Sequence, residues 1–295
     1  MRKPQCRRCA PAPAVFVSVL LLLLVQASCA FAEQWSFAMF ADSRFEFAAL
    51  RTVLEQIRSN KPADPKFPAT HFVLGLGDID PLTKTAIIHK EVFGSAVPFV
   101  PVRGNHESAA DFRYMRRVLL PALPFPLQYK DAESTTYFFD YKNARFISID
   151  QYMKPGKDLR NPEMVAWVEK AIVSARKLDH IFISFHEPHL PLTPENDPFW
   201  IMLLKNSNKV RAVLTGHTHT YLHRPVPGPH GSIHFINTGN AGNRRHSDGN
   251  LTTVQVAIDA NEVYFRTIQA PHGSRDFKVT ERWSGGKKSS GQKRK

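Results

Sequence analysis

The sequence predicts an α/β protein in which sheets are covered by helices, and three observations lead to this prediction. Short apolar runs alternate with segments of helical periodicity over most of the chain. The C-terminal part changes to short runs separated by turn residues, which is typical of antiparallel hairpins. No linker, repeat or low-complexity break interrupts residues 33–283, so this segment is predicted to be one domain.

Each predicted strand is a short apolar run, whereas the predicted helices repeat apolar residues every three or four positions. In chain order the strands are 35–42, 71–78, 97–105, 135–141, 144–150, 180–188, 210–218, 232–239, 251–259 and 262–269. The helices are 45–60, 83–94, 108–119, 161–177 and 199–206. A turn at 259–261 joins the last two strands. Strand–helix alternation followed by antiparallel strands favours a layered arrangement.

The N-terminal segment is typical of a secretory signal peptide. Four basic residues precede an apolar run at 14–25, and small residues lead to a cleavage site after Ala32. The run is too short for a membrane span, which needs about 20 apolar residues. We therefore expect residues 1–32 to direct export to the periplasm or the exterior. Lipoprotein processing at Cys29 is a competing interpretation, which Gln26 disfavours because an aliphatic residue is usual there.

The formal net charge of +13 comes mostly from the two ends of the chain. Both the N-terminal segment and the tail at 284–295 carry basic residues and no acidic ones, so the body between them is close to neutral. This balance does not indicate a nucleic-acid-binding surface. The tail is predicted to be disordered, with weak contact to an anionic envelope surface as an alternative. All three cysteines precede residue 33, so the predicted mature domain has no disulfide.

Ligand-type residues follow five of the apolar runs at the point where each run ends. They are Asp42, Asp78, Asn105 with His106, His186, and His217 with His219. In open α/β sheets, ligands bind beyond the carboxyl ends of the strands. In an extended chain, side chains two positions apart leave the same face, which would let His217 and His219 serve one site. A single Gly-Asp or Gly-Asn is a common turn, but five coinciding strand ends predict a binding site.

These residues lie in the segments DSR, GDIDP, GNHE, FHEP and GHTH, in that order. The set resembles the calcineurin-like metallophosphoesterases, whose pattern is D-x-H, G-D-x-x-D, G-N-H-D/E, a later histidine and G-H-x-H. The resemblance extends from Glu33 to about Ala270. It implies a four-layer α/β/β/α sandwich and a metal-dependent phosphoric ester hydrolase that acts on monoesters or diesters.

The resemblance also implies a site for two metal ions such as Mn, Fe or Zn, in which a metal-activated hydroxide attacks phosphorus. One ion would take Asp78, Asn105, His186 and His217. The other would take Asp42, Asp78 and His219, with Asp78 bridging the two. His106 would act beside the leaving-group oxygen as a general acid, or would stabilise the charge that develops there.

The sequence departs from the family pattern at two positions. Arg44 replaces the histidine of D-x-H and cannot ligate a metal, because its guanidinium stays protonated. Water could fill the gap while Arg44 binds the substrate phosphate, the site could bind its metal weakly, or catalysis could be lost. Pro81 replaces the second aspartate of G-D-x-x-D, which orients the catalytic histidine in the family. Asp80 is one residue early for that role. Glu107 is predicted to cap the helix after it.

These departures leave a second functional hypothesis. The chain could be a non-catalytic or single-metal envelope binding protein that keeps the phosphoesterase fold. The two hypotheses differ in metal content and turnover: an enzyme with a dinuclear site should bind close to two ions and hydrolyse phosphoesters, whereas a binding protein should hold one ion without hydrolysis.

Overall fold

The computed structural model describes residues 34–153 and 158–286, which form one compact unit of two mixed sheets and flanking helices. The predicted signal peptide at 1–32 lies outside the described residues, as do positions 287–295 of the tail. Within the described ranges, no helix is both long and apolar enough to cross a membrane.

The first sheet has six strands in the order β13-β12-β11-β1-β2-β3. The strands are β1 (Trp35–Phe40), β2 (Thr70–Leu76), β3 (Phe99–Val102), β11 (Asn250–Asp259), β12 (Glu262–Pro271) and β13 (Lys278–Gly286). β1, β2 and β3 are parallel, and β1 pairs antiparallel with β11. The second half of this sheet is an antiparallel meander, as the hairpin pattern of the C-terminal part predicts.

The second sheet has seven strands in the order β4-β5-β6-β7-β8-β10-β9. They are β4 (Gln128–Tyr129), β5 (Tyr137–Tyr141), β6 (Ala144–Ser148), β7 (His180–Ser184), β8 (Val210–Thr215), β9 (Tyr221–Gly228) and β10 (Gly231–Thr238). β6, β7, β8 and β10 run parallel, so their carboxyl ends share one edge. The loops that follow these strands begin at that edge.

Five α-helices connect these strands. They are α1 (Phe47–Ser59), α2 (Leu82–Phe93), α3 (Ala109–Tyr114), α4 (Pro162–Ser174) and α5 (Pro198–Lys205). A π-helical turn at Met115–Leu119 continues α3. Ser108 caps α3 through a reciprocal capping box with Asp111, whereas Asn161 and Asp197 cap α4 and α5 with their side chains.

The order of the layers is set by which side chains pack on each face of the sheets. α1 and α2 pack on the first sheet, whereas α4 and α5 pack on the outer face of the second. Along β7, Phe182 points to the space between the sheets, and Ile181 and Ile183 point to α4 and α5. Phe37 of β1 meets Phe182 edge-on at 5.1 Å across the same space. The α/β/β/α sandwich is thereby confirmed.

Three strands, β4, β9 and β13, are absent from the sequence prediction, and some strand and helix boundaries differ from it. β4 has only two residues, β9 contains two prolines in its exposed half, and β13 alternates polar residues with few apolar ones. None of these has the apolar run by which a strand is recognised. β13 ends at Gly286, past the predicted domain end at 283, and is held by pairing with β12 from Glu262 to Gln269.

Candidate metal centre

The ligand-type side chains come together at the edge where the carboxyl ends of strands from both sheets meet. The two sheets are joined there by hydrogen bonds rather than by apolar packing alone. His186, after β7, donates from Nδ1 to the carbonyl oxygen of Leu76 at the end of β2 (2.7 Å). The backbone N–H of His217, after β8, donates to Oδ2 of Asp42 after β1 (2.8 Å).

Five of the six predicted ligands form two groups that share Asp78. One group is Asp78, His186 and His217, and the other is Asp42, Asp78 and His219. Within each group, one ligand atom from every residue lies within 4.8 Å of the others. A carboxylate has two oxygens, so Asp78 can serve both groups, which is the arrangement that a two-cation site requires.

Two imidazoles are oriented so that Nε2 faces the carboxylates. His186 uses Nδ1 to donate to Leu76, and His219 uses Nδ1 to donate to the carbonyl oxygen of Arg245. A carbonyl oxygen only accepts, so each Nδ1 carries a proton, and Nε2 is the nitrogen that would bind a cation. Such backbone contacts fix the tautomer and ring orientation of metal-binding histidines.

Two buried atoms at the centre lack hydrogen-bond partners among the described residues, namely Oδ1 of Asp42 and Nε2 of His186. The two atoms are 3.9 Å apart, and Nε2 of His186 is 3.3 Å from Oδ1 of Asp78 without hydrogen-bond geometry. Nε2 of His219 lies 3.5 Å from Oδ1 of Asp42. A buried polar atom without a partner is costly, and a cation between these atoms would satisfy them. The donor set therefore fits divalent metal ions.

Four of these residues adopt the left-handed backbone region that side chains usually avoid. Their φ values are 57° for Asp42, 51° for Asp78, 76° for His217 and 57° for His219. Non-glycine residues with positive φ are uncommon and cluster at functional sites, because the surrounding contacts must hold them there. The backbone of each loop is thus bent so that its ligand faces the centre.

The carboxylates of the centre shift the pKa values of the histidines beside them. Burial opposes a charge on His186, but the nearby carboxylates of Asp78 and Asp42 raise its pKa to about 9. Burial alone would raise the pKa of Asp78, yet His186 and the backbone N–H of His106 lower it. The Asp42 carboxylate raises the pKa of His219. The field that favours protons here favours metal cations, which compete for the same lone pairs.

A comparison with family models matches residues 36–221 to the calcineurin-like phosphoesterase model. The match covers more than half of the chain and includes all five strand-end segments described above.

The chain belongs to the calcineurin-like phosphoesterase family.

Solved structures with a similar fold are distant in sequence. A predicted phosphoesterase from Streptococcus pneumoniae is 13% identical, with 85% of this chain and 98% of that chain covered and a TM-score of 0.41. Vps29 from Entamoeba histolytica in complex with Zn²⁺ is 14% identical, with 84% and 98% covered and a TM-score of 0.42. A cold-active protein-tyrosine phosphatase from Shewanella is 12% identical, with 84% and 80% covered and a TM-score of 0.36. A comparison with curated protein sequences gave no match.

His217 and His219 are not side by side on a strand. β8 ends at Thr215, and positive φ at both histidines sends their side chains to different groups of ligands. The prediction that the side chains of His217 and His219 leave the same face of an extended chain was therefore wrong. Alternation of side chains holds only in a strand, and here two residues in the left-handed region turn the chain.

Asn105 and His106 follow β3 and border the cluster from its exposed side. Oδ1 of Asn105 is 3.1 Å from Nδ1 of His217, so the amide reaches the first group of ligands. The backbone N–H of His106 donates to Oδ1 of Asp78 (2.9 Å), while its ring nitrogen Nε2 is 3.8 Å from Oδ2 of the same carboxylate. The His106 side chain is 43% exposed and can meet a substrate from solvent.

Arg44, at the first departure from the family pattern, contacts Asp80, which precedes Pro81 at the second. Nε of Arg44 donates to Oδ1 of Asp80 at 3.2 Å, and the backbone N–H of Arg44 donates to the carbonyl oxygen of Asp78. The Asp80 side chain is 7% exposed, whereas that of Arg44 is 26% exposed. Burial raises the pKa of Asp80, and the charge of Arg44 opposes that shift. Asp80 therefore holds the guanidinium.

Glu107 does not cap the helix after it, as its position had suggested, because Ser108 fills that role. Its buried carboxylate accepts from the backbone N–H groups of Ile79 (2.8 Å), Gly104 (2.7 Å) and Asp78 (3.3 Å). Burial raises the pKa of Glu107 to about 7, although these donors oppose that shift. Glu107 joins the loop after β2 to the loop after β3 and so sets the distance between Asp78 and Asn105. Sequence spacing carries no signal of this role.

A second residue missed by sequence reasoning is Asn243, in the loop between β10 and β11. Its side-chain nitrogen Nδ2 is 3.4 Å from Nε2 of His219. The loop lies beyond residue 221, where the family match ends. The only sequence signal was a Gly- and Asn-rich stretch with two arginines, which is equally typical of an exposed turn.

Proposed function

We propose that this protein is an exported, metal-dependent phosphoric ester hydrolase with a dinuclear site. The observation that carries the proposal is the pair of ligand groups that share Asp78 and leave Oδ1 of Asp42 and Nε2 of His186 without hydrogen-bond partners among the described residues. The signal-peptide pattern at 1–32 supports export.

Two divalent cations, when bound, would polarise the phosphoester and activate a water molecule for attack on phosphorus. Asp78 would bridge them, with His186, His217 and Asn105 on one side and Asp42 and His219 on the other. His186 and His219 are held ready for this role by their Nδ1 contacts to backbone carbonyls. Their rings need no reorientation for Nε2 to bind a cation, which would displace any proton there.

His106 and Arg44 would act on the substrate itself. His106 is exposed beside Asp78 and would hold a proton for the departing oxygen. Arg44 uses Nε for Asp80, and among the described residues no hydrogen bond engages its two terminal nitrogens, which would donate to a phosphate oxygen pair. This supports the interpretation in which Arg44 binds substrate in place of the missing metal ligand.

The loop after β7, which carries His186, also lines space for the organic part of a substrate. A cavity of about 1170 Å³ is lined by residues that follow β6 and β7, including Gln151, Glu187 and His189, but by none of the proposed ligands. Glu187, in this lining, directly follows the proposed ligand His186 in the chain. We infer that the leaving group extends into this cavity and that its mixed polar lining discriminates among substrates.

The test is an assay of the purified protein against an aryl phosphomonoester and a bis-aryl phosphodiester, with Mn²⁺, Fe²⁺ or Zn²⁺ added. We expect Asp78→Ala to reduce hydrolysis by at least about 10²-fold, because one side chain serves both cations. Asp276→Ala, at an exposed aspartate between β12 and β13, is the matched control and should retain full activity. Wild-type turnover that survives in Asp78→Ala would refute the assignment.

The alternative is a non-catalytic protein that binds one metal, and one observation favours it. With Arg44 held by Asp80, the Asp42 group has three protein ligands where the family pattern offers four. Metal analysis of protein purified without chelator separates the hypotheses. Close to two ions per chain with turnover supports the enzyme; one ion and no hydrolysis across the panel supports the binding protein.

A further inference from the structure

The Asn243 side chain points at the metal centre from the loop between β10 and β11. It is 9% exposed, and Nδ2 lies 3.4 Å from Nε2 of His219, the ring nitrogen that is 3.5 Å from Oδ1 of Asp42. His219 donates from Nδ1 to Arg245, so in the neutral imidazole Nε2 is the acceptor and Asn243 is the donor of this contact.

The rest of the hydrogen bonding sets the orientation of the amide. Oδ1 of Asn243 accepts from the backbone N–H of Arg245 at 3.1 Å. A flipped amide would place two donors against each other, so the nitrogen is the atom that faces His219. The backbone N–H of Asn243 donates to the carbonyl oxygen of Asp42 at 3.0 Å, and Ala241 donates to Ala41 at 2.8 Å. The loop is thus fastened to the chain that carries Asp42.

A cation at His219 would remove the acceptor on which the Asn243 amide depends. The lone pair of Nε2 would then be engaged, and a nearly buried N–H would have no partner on that side. An oxygen that binds close to the same cation would supply a new acceptor. Phosphate oxygens have this position and charge, and an N–H donor to an anionic oxygen forms one of the stronger hydrogen bonds.

We propose that Asn243 binds the substrate by donating a hydrogen bond from Nδ2 to a phosphate oxygen on the Asp42–His219 side of the centre. The inference rests on the proposed function, because it needs a cation at His219. It adds a phosphate-binding residue outside the segment matched to the family, on the side where Arg44 replaces a metal ligand.

The experiment compares wild type, Asn243→Ser and Asn208→Ala by calorimetry. Each protein is titrated first with Mn²⁺ and then, once loaded, with inorganic phosphate. Serine can still accept from the backbone N–H of Arg245 and introduces no charge, but its side chain is too short to reach the phosphate. Asn208 is exposed and precedes β8, at the opposite end of that strand from the centre. Melting temperatures check that all three proteins fold.

We expect Asn243→Ser to keep the wild-type Mn²⁺ stoichiometry and to bind phosphate about 10- to 100-fold more weakly, while Asn208→Ala matches wild type. Equal phosphate affinity in wild type and Asn243→Ser would overturn the inference alone. Loss of Mn²⁺ in Asn243→Ser would also overturn it, because Asn243 would then support the cation rather than the phosphate. A wild type that binds no cation would overturn the proposed function and the inference together.

Discussion

Replacing Gly104 by alanine should disable the metal centre without touching a ligand. A Cβ atom at this position would lie 2.3 Å from both the backbone nitrogen and Oδ1 of Asp78, and 2.9 Å from Oε2 of Glu107. Ordinary contacts between such atoms are about 3.4 Å or longer, so the Asp78 carboxylate or the loop must move by about 1 Å. Metal–ligand distances tolerate deviations of only about 0.2 Å.

A shift of this size at the bridging carboxylate should weaken cation binding by at least about 10- to 100-fold. The assay is calorimetric titration of Gly104→Ala with Mn²⁺ and Zn²⁺, with circular dichroism to confirm the fold. Gly94→Ala is the matched control, because Gly94 has a φ of 68° and no neighbouring atom within 4 Å of the added methyl group. It should lose about 1 kcal/mol of stability through backbone strain and keep its cations.

A folded Gly104→Ala variant that binds Mn²⁺ with wild-type stoichiometry and affinity would contradict this prediction. That result would show that the loop after β3 yields without displacing Asp78. Loss of binding in Gly94→Ala as well would show instead that general destabilisation, not the local clash, is responsible.

Two further predictions concern residues next to the centre and far from it. Asp80→Asn removes the charge that holds Arg44, so the KM for phosphoesters should rise up to about fivefold, with kcat and the pH profile little changed. The effect is modest because Arg44 is 26% exposed and solvent weakens the ion pair. A fall in kcat with an altered pH profile would show instead that Asp80 orients the catalytic acid. His89 is 4% exposed between the rings of Phe93 and Phe99, and burial lowers its pKa from 6.5 to about 4. The unfolded chain therefore takes up a proton as pH falls below 6.5 while the folded chain does not, and His89 should cost about 2 kcal/mol of stability between pH 7.5 and 5. Between pH 7.5 and 5, the free energy of unfolding of His89→Phe, measured by urea denaturation, should therefore fall by about 2 kcal/mol less than that of wild type. Equal falls in both proteins would contradict the lowered pKa of His89.

Much of the fold was predictable because its signals are local. A short apolar run such as 35–40 or 180–184 forms its backbone hydrogen bonds and buries both faces inside a covered sheet. The helices α1 and α4 repeat apolar residues with the helical period on their buried sides. β9 and β13 escaped detection because neighbouring strands, not their own composition, hold them. The identity of the strand-end residues was likewise local information, and the structure brings Asp42, Asp78, His186, His217 and His219 together.

The candidate metal ligands can be chosen from local sequence, because carboxylate and imidazole chemistry belongs to the side chain and the surrounding apolar pattern places each one at a strand end. How those groups are shared and supported depends on the folded chain. The contact of Asp42 with His217 spans 175 positions, that of His186 with Leu76 spans 110, and that of Arg44 with Asp80 spans 36. Such pairings depend on the packing of two sheets against each other and on loops bent into the left-handed region, so no spacing in the chain encodes them.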